Sequence, residues 1–242
     1  MRRAVAKVLR GVHRAGAIVR SELRLFALKA RYPGFHTEGR VTIGPNCNIM
    51  VGEGSTLWLR NTSVERDVTI IVSNGGTIDY AGFRLGRGTF LVAQDRITLG
   101  PGGAIAEYVV VRDAQHRPNV PLEHNVFDTG PILMGDDVGI AIHSVILYGV
   151  TIGDGAVVAA GSIVNRDVPA HKTVAGAPAK VVADSPNWGR TSRMSDVPGA
   201  PDDETRADDL PDDPITAREA AEQELIEEGE SEAGAELGDE MD

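Results

Sequence analysis

The sequence predicts an all-β solenoid, a chain wound into stacked coils of short parallel strands, on three observations. Every sixth residue from Met134 to Val164 is apolar: Met134, Ile140, Ile146, Ile152, Val158 and Val164. The residue four places after each rung is small or β-branched: Val138, Ser144, Val150, Ala156, Ser162 and Val168. Turn residues punctuate the rungs, as in Gly44-Pro45-Asn46, Gly52-Glu53-Gly54 and Gly100-Pro101-Gly102. A helix repeats near 3.6 residues and a strand at 2, so a period of six belongs to neither. One large inward residue, one small inward residue and a tight corner make one short strand and a turn. Three such units close a triangular coil.

At the N-terminus, residues 1–33 read as one basic amphipathic helix. Val5, Val8, Leu9, Val12, Val19, Leu23 and Phe26 recur at helical steps, and Lys7, Arg10, Arg14 and Arg24 lie off that stripe. Pro33-Gly34 stops it. Arginines interrupt each apolar run, which argues against a signal peptide or a membrane span. Two placements are open. The helix shields an open end or side of the solenoid, or residues 1–31 lie on an anionic membrane surface as a peripheral contact. Nucleic acid is not an expected partner, because the body offers no basic surface to extend the patch.

Residues 34–183 form the expected solenoid domain. Ile43 and Ile49 are one period apart, as are Val51 and Leu57, then Leu85, Leu91 and Ile97. After a two-residue slip come Leu99, Ile105 and Val111. Around Asn61–Gly82 the phase is poorly defined, with Ile70, Ile71 and Ile78 expected to point inward. The aromatic share of 5% suits a core of stacked aliphatic rungs with no room for rings. After the rung Val111–His116 the repeat breaks over residues 117–131 and resumes at Pro131-Ile132. A long insertion in a solenoid reads as a functional loop, since the stack does not need it.

Residues 184–242 read as a disordered acidic tail, too poor in large apolar residues to offset its ordering entropy. Thr216–Glu228 is a candidate short helix within it. Net charge is −11, unevenly spread: +8 over residues 1–31, −3 over 32–182 and −16 over 183–242. The tail either screens the basic head or solubilises the protein without specific contacts. The single cysteine, Cys47, excludes an internal disulfide and suggests a reducing, cytoplasmic setting. It stands in the small inward slot of its rung and reads as a packing thiol.

His143 falls near a corner and His171 follows the last rung, so both read as surface residues. His116 stands where the repeat breaks. A rigid body can hold it there while its ring faces a cleft, and an imidazole is the side chain most often used as a general base.

The run from Ile146 to Pro169, then Ala175-Gly-Ala-Pro-Ala-Lys-Val-Val182, resembles the C-terminal signature of hexapeptide-repeat acyltransferases. The likeness is to maltose, galactoside and polysaccharide O-acetyltransferases. Asp113-Ala-Gln-His116, the loop, and Gly130-Pro-Ile-Leu-Met-Gly-Asp-Asp137 are similar to that family's catalytic segment. The match is dense over 130–182 and weaker from 41 to 116. The resemblance implies a left-handed parallel β-helix, a homotrimer, and acyl-CoA bound between neighbouring subunits. It implies an acetyl-CoA-dependent O-acetyltransferase acting on a carbohydrate hydroxyl, with His116 as base and no metal. Ile142 and Ala160 would offer backbone groups to the pantetheine arm. Asn165, Arg166 and Lys180 would lie along the nucleotide end, and Asp113 and Gly86 fall at the acceptor positions. Gly86 replaces an asparagine that often positions the acceptor, and the pattern also departs at Gly139, Tyr148, Ala177 and Ala183. Asp113 orients His116 or the acceptor, or is a solvated carboxylate. Two other readings stay open. One is a zinc-dependent enzyme of the γ-type carbonic anhydrase kind enlisting His116, His124 and His143, and the other is a non-catalytic scaffold.

Overall fold

A computed structural model of the chain describes residues 2–185 apart from Phe83 and Asn125, and side chains from residue 16 onward apart from Leu122. The acidic tail beyond Ser185, the candidate helix Thr216–Glu228 and the side chains of Val5, Val8, Leu9 and Val12 lie outside the described residues. One helix, Arg2–Arg31, precedes a parallel β-solenoid of about six turns. Three sheets form its faces. The first face holds Phe35–Glu38, Thr56–Arg60, Thr77–Tyr80, Arg96–Leu99, Ile132–Met134 and Thr151–Ile152. The second face begins at Thr42–Ile43 and ends at Lys172–Ala175, on which Lys180–Asp184 folds back antiparallel. The third face runs from Asn48–Val51 to Ile163–Val164.

The six-residue ladder is the core. All six rungs from Met134 to Val164 are buried, and so are the six small slots that follow them. Two slots are serines whose hydroxyls are satisfied along the stack. Ser144 donates to the Ala159 carbonyl at 3.0 Å, and Ser162 accepts the Gly176 N–H at 3.3 Å.

The six-residue ruler holds only in the last coils. There Gly139 pairs with Val157, 18 residues on. In the first coils Ile43 pairs with Val64 and Val64 with Leu85, steps of 21. The extra residues lengthen two faces, each of which then buries two side chains. Ile49 with Val51 and Ile70 with Val72 fill the third face; Leu57 with Leu59 and Ile78 with Tyr80 fill the first. The segment Asn61–Gly82 is therefore a regular coil whose longer period hides from a count of six. Ile71, expected inward, alternates outward between buried Ile70 and Val72. The wider coils also hold rings, against the expectation of a purely aliphatic core. Phe35 is buried, and Tyr80 is fully buried with its hydroxyl donating to the Arg84 carbonyl at 2.5 Å.

Each coil turns from second to third face through a residue in the left-handed region: Asn46, Asp67, Gly88, Tyr108, His143 and Gly161. The tight corner needs that conformation, and residues with a Cβ adopt it at a cost of about 1–2 kcal/mol. Tyr108 and His143 stack at this edge, ring centroids 5.3 Å apart. His143 is an exposed corner residue, as expected.

The helix covers the open end of the first coil. The Ile43 N–H donates to Ser21 Oγ at 2.8 Å, and Arg24 Nη1 donates to the Ile43 carbonyl at 2.9 Å. These backbone groups have no preceding coil to pair with, so the helix satisfies an edge that would otherwise template aggregation. The buried face is not the one that the apolar stripe suggests. Ser21 and Leu25 are buried against the solenoid, while Val19, Leu23 and Phe26 are exposed.

Candidate active site

The insertion is a β-hairpin that starts before residue 117. Ala114–His116 pairs antiparallel with Phe127–Thr129, placing His116 opposite Phe127 and Ala114 opposite Thr129. The Gly130 N–H donates to the Asp113 carbonyl at 3.0 Å, closing the hairpin base. The Gly149 N–H donates to the Gly130 carbonyl at 3.0 Å, tying that base to the next coil. Arg117 Nε donates to Asp128 Oδ1 at 2.8 Å across the arms. His116 thus stands on one arm of a braced hairpin, not on the last rung.

Asp113 makes the departure from the stack possible. Its side chain is fully buried, and its two oxygens accept the Gln94 and Asp95 N–H groups, each at 2.8 Å. Burial pushes its carboxyl above the usual range, and those two donors offset that rise only in part. The carboxylate is turned into the preceding coil. It is not solvated, which corrects that expectation, and among the described residues no hydrogen bond joins it to His116.

Gly86 is likewise a packing residue. A Cβ there would sit 2.4 Å from the Ala106 carbonyl carbon and 2.7 Å from the Glu107 nitrogen, both backbone atoms of the next coil. An asparagine does not fit without displacing that coil, so no acceptor-positioning side chain belongs at this position.

His116 is half-buried, its ring centroid 4.2 Å from that of Phe127 with the planes at 36°. No hydrogen bond reaches either ring nitrogen among the described residues, so packing on Phe127 sets its orientation. It lines a groove of about 350 Å³ with Arg112, Ala114, Gln115, Leu147 and Tyr148. Arg112 Nε is buried without a hydrogen-bond partner, and its guanidinium carbon lies 5.9 Å from the Phe127 ring centre. Arg112, Gln115 and Leu147 escaped sequence reasoning, and Tyr148 figured only as a departure from a pattern. The register could have found two of them: Val111 pairs with Ile146, so Arg112 and Leu147 follow side by side.

The other expected site residues divide between two edges. Asn165 and Arg166 are exposed and follow Val164, which pairs with Ile146, so they share the edge of Leu147, Tyr148 and His116. Ile142 and Ala160 are exposed at the corner between second and third faces. There the Ile142 carbonyl already accepts the Gly161 N–H at 2.9 Å. Lys180 is exposed at the start of the final antiparallel strand, opposite Ala175. Cys47 is half-buried with Sγ 2.9 Å from the Glu65 carbonyl, and burial pushes its thiol up, as befits a packing residue. Among the described residues, no three His, Cys, Asp or Glu side chains are grouped to hold a metal, so His116, His124 and His143 do not converge within one chain.

No family model matches the chain. The solved structure of AntD, an N-acyltransferase from Bacillus cereus, superposes with a TM-score of 0.55 at 20% identity, covering 65% of this chain and 88% of that one. It was solved with dTDP-4-amino-4,6-dideoxyglucose and coenzyme A. The two chains share the parallel β-solenoid fold. A second AntD structure, with dTDP and 3-hydroxybutyryl-CoA, gives a TM-score of 0.51 at 19% identity over 65% of this chain and 87% of the other. In sequence, 52 residues are 58% identical to 2,3,4,5-tetrahydropyridine-2,6-dicarboxylate N-acetyltransferase of Staphylococcus aureus. That match spans 22% of this chain and 22% of the relative's length.

Proposed function

We propose that the protein is an acyltransferase that moves the acetyl group of acetyl-CoA to a carbohydrate hydroxyl, with His116 as the general base. The observation that carries this reading is the braced hairpin that holds the His116 ring over a groove at the solenoid's edge. A sugar hydroxyl is too weakly acidic to attack a thioester unaided. His116 takes its proton as the oxygen bonds to the acetyl carbon, and such assistance contributes about 10²–10⁴-fold. Collapse of the tetrahedral adduct breaks the carbon–sulfur bond, and His116 returns the proton to the departing CoA thiolate. No covalent enzyme intermediate is needed. The tetrahedral oxyanion calls for a hydrogen-bond donor near the thioester carbonyl.

Asn165, Arg166 and Lys180 would meet the phosphates of CoA, where cations suit anions. Ile142 and Ala160 occupy a different edge from His116, so one CoA touching both sets needs a second copy of the chain to bring its corner alongside. That division supports a homotrimer with sites between subunits. An amine acceptor is the second reading, because AntD is an N-acyltransferase and the Staphylococcus aureus relative an N-acetyltransferase. The same proton transfer serves either acceptor.

The test is release of CoA thiol with a panel of sugars, amino sugars and their nucleotide conjugates. His116→Ala should abolish release with an active acceptor while leaving the oligomer intact; retained turnover refutes the assignment. A hydroxyl-bearing acceptor that works without any amine decides between the two readings.

A further inference from the structure

The outward face of the N-terminal helix has no role in capping the solenoid. Ile18, Val19, Leu23 and Phe26 are 47, 58, 63 and 74% exposed. At about 100° per residue, Val19, Leu23 and Phe26 share an arc about 60° wide. Ser21 and Leu25, which meet the solenoid, lie on the opposite side of the helix. The same period runs back through the sequence to Val12, Val8 and Val5. Exposed Arg20 and Arg31 border the arc on one flank, and Glu22 and Lys29 on the other. Long basic side chains at such flanks can keep their heads in water while their stems follow an apolar surface. Residues 1–31 carry nine Lys and Arg against one acid, Glu22.

We infer that this helix face docks the protein on an anionic lipid bilayer, lying in the plane of the interface. Two features select that occupant. The charge of the segment complements anionic headgroups, each basic residue near such a surface adding to the attraction. The arc is narrow and continuous and has Arg20, Arg31 and Lys29 at its flanks, the form of a helix that lies in a membrane surface. No helix among the described residues is long and apolar enough to cross a membrane, which fits a helix lying flat. Because Ser21 and Arg24 bond to Ile43, docking holds the N-terminal end of the solenoid at the surface.

The test is co-sedimentation of the full chain with phosphatidylcholine vesicles, with and without phosphatidylserine, at about 0.1 M salt, where charge attraction still operates. The protein should bind the phosphatidylserine vesicles, spare the neutral ones, and dissociate as salt rises. Leu23→Ser with Phe26→Ser should lower partitioning at least about tenfold. Arg20→Gln with Lys29→Gln should lower it several-fold while preserving the helix. All four side chains are exposed and none bonds to Ile43, so circular dichroism should stay unchanged. Failure to bind phosphatidylserine vesicles, or equal binding by the wild type and the apolar variant, overturns the inference. So does a wild type indifferent to vesicles whose oligomer breaks up in the apolar variant, because the stripe would then be covered by a second copy.

Discussion

Replacing Asp113 by alanine separates a structural carboxylate from a catalytic one. The side chain is fully buried and accepts the Gln94 and Asp95 N–H groups at 2.8 Å each. Hydrogen bonds to a charged acceptor are worth about 1.5–3 kcal/mol apiece, and alanine leaves both donors without a partner. Allowing for non-additivity, the cost is about 3–5 kcal/mol. For a chain of this size each kcal/mol moves Tm by about 2–4 °C, so a fall of roughly 6–20 °C is expected. Asp113→Asn keeps one acceptor and should fall about half as far. The assay is thermal unfolding by circular dichroism, paired with CoA-thiol release per folded molecule well below Tm. Stability should drop while turnover per folded molecule holds. A Tm change under about 2 °C accompanied by lost turnover would refute the argument and return Asp113 to the chemistry.

Four further outcomes follow from the same geometry. Gly86→Asn should destabilise by about 3 kcal/mol, because the new Cβ meets the backbone of Ala106 and Glu107, and a shift in urea midpoint reads it. Ile146→Ala empties a fully buried rung and should cost about 2–5 kcal/mol by the same measurement. Phe127→Ala removes the ring that orients His116, so kcat should fall about tenfold with KM little changed, and Phe127→Tyr should restore it. The pH dependence turns on Asp113, whose folded pKa is raised chiefly by burial. The unfolded chain then loses its proton first, so stability falls as pH rises from the ordinary carboxylate range through the folded pKa. The Tm gap between wild type and the non-titrating Asp113→Asn should therefore narrow across that window, and a widening gap contradicts the shift.

The late coils were legible because each spends one large and one small inward residue per six positions, from Met134 to Val164. The early coils were less so, since longer strands bury pairs such as Leu57 with Leu59 and break the period without breaking the stack. His116 was found from the interruption of the rhythm. Its partners in the groove were not, because Arg112 and Leu147 come together only through the register of Val111 on Ile146 in neighbouring coils. The helix shows the same limit: its hydrophobic stripe is visible in sequence, but which face the solenoid covers depends on backbone groups of Ile43 that periodicity does not represent.

Local repetition is a one-dimensional property, so composition and spacing were enough for the solenoid and its corners, and for the interruption to within a few residues. Asp113 and Gly86 were decided in three dimensions. Both are conspicuous as residue types, a carboxylate and a bare backbone. Each is committed to the neighbouring coil, about one turn away in sequence, by contacts at 2.8 Å for Asp113 and a would-be 2.4 Å clash for Gly86. Whether a polar or small residue faces a ligand or the stack depends on what the adjacent coil places opposite it, and that is a matter of register and packing.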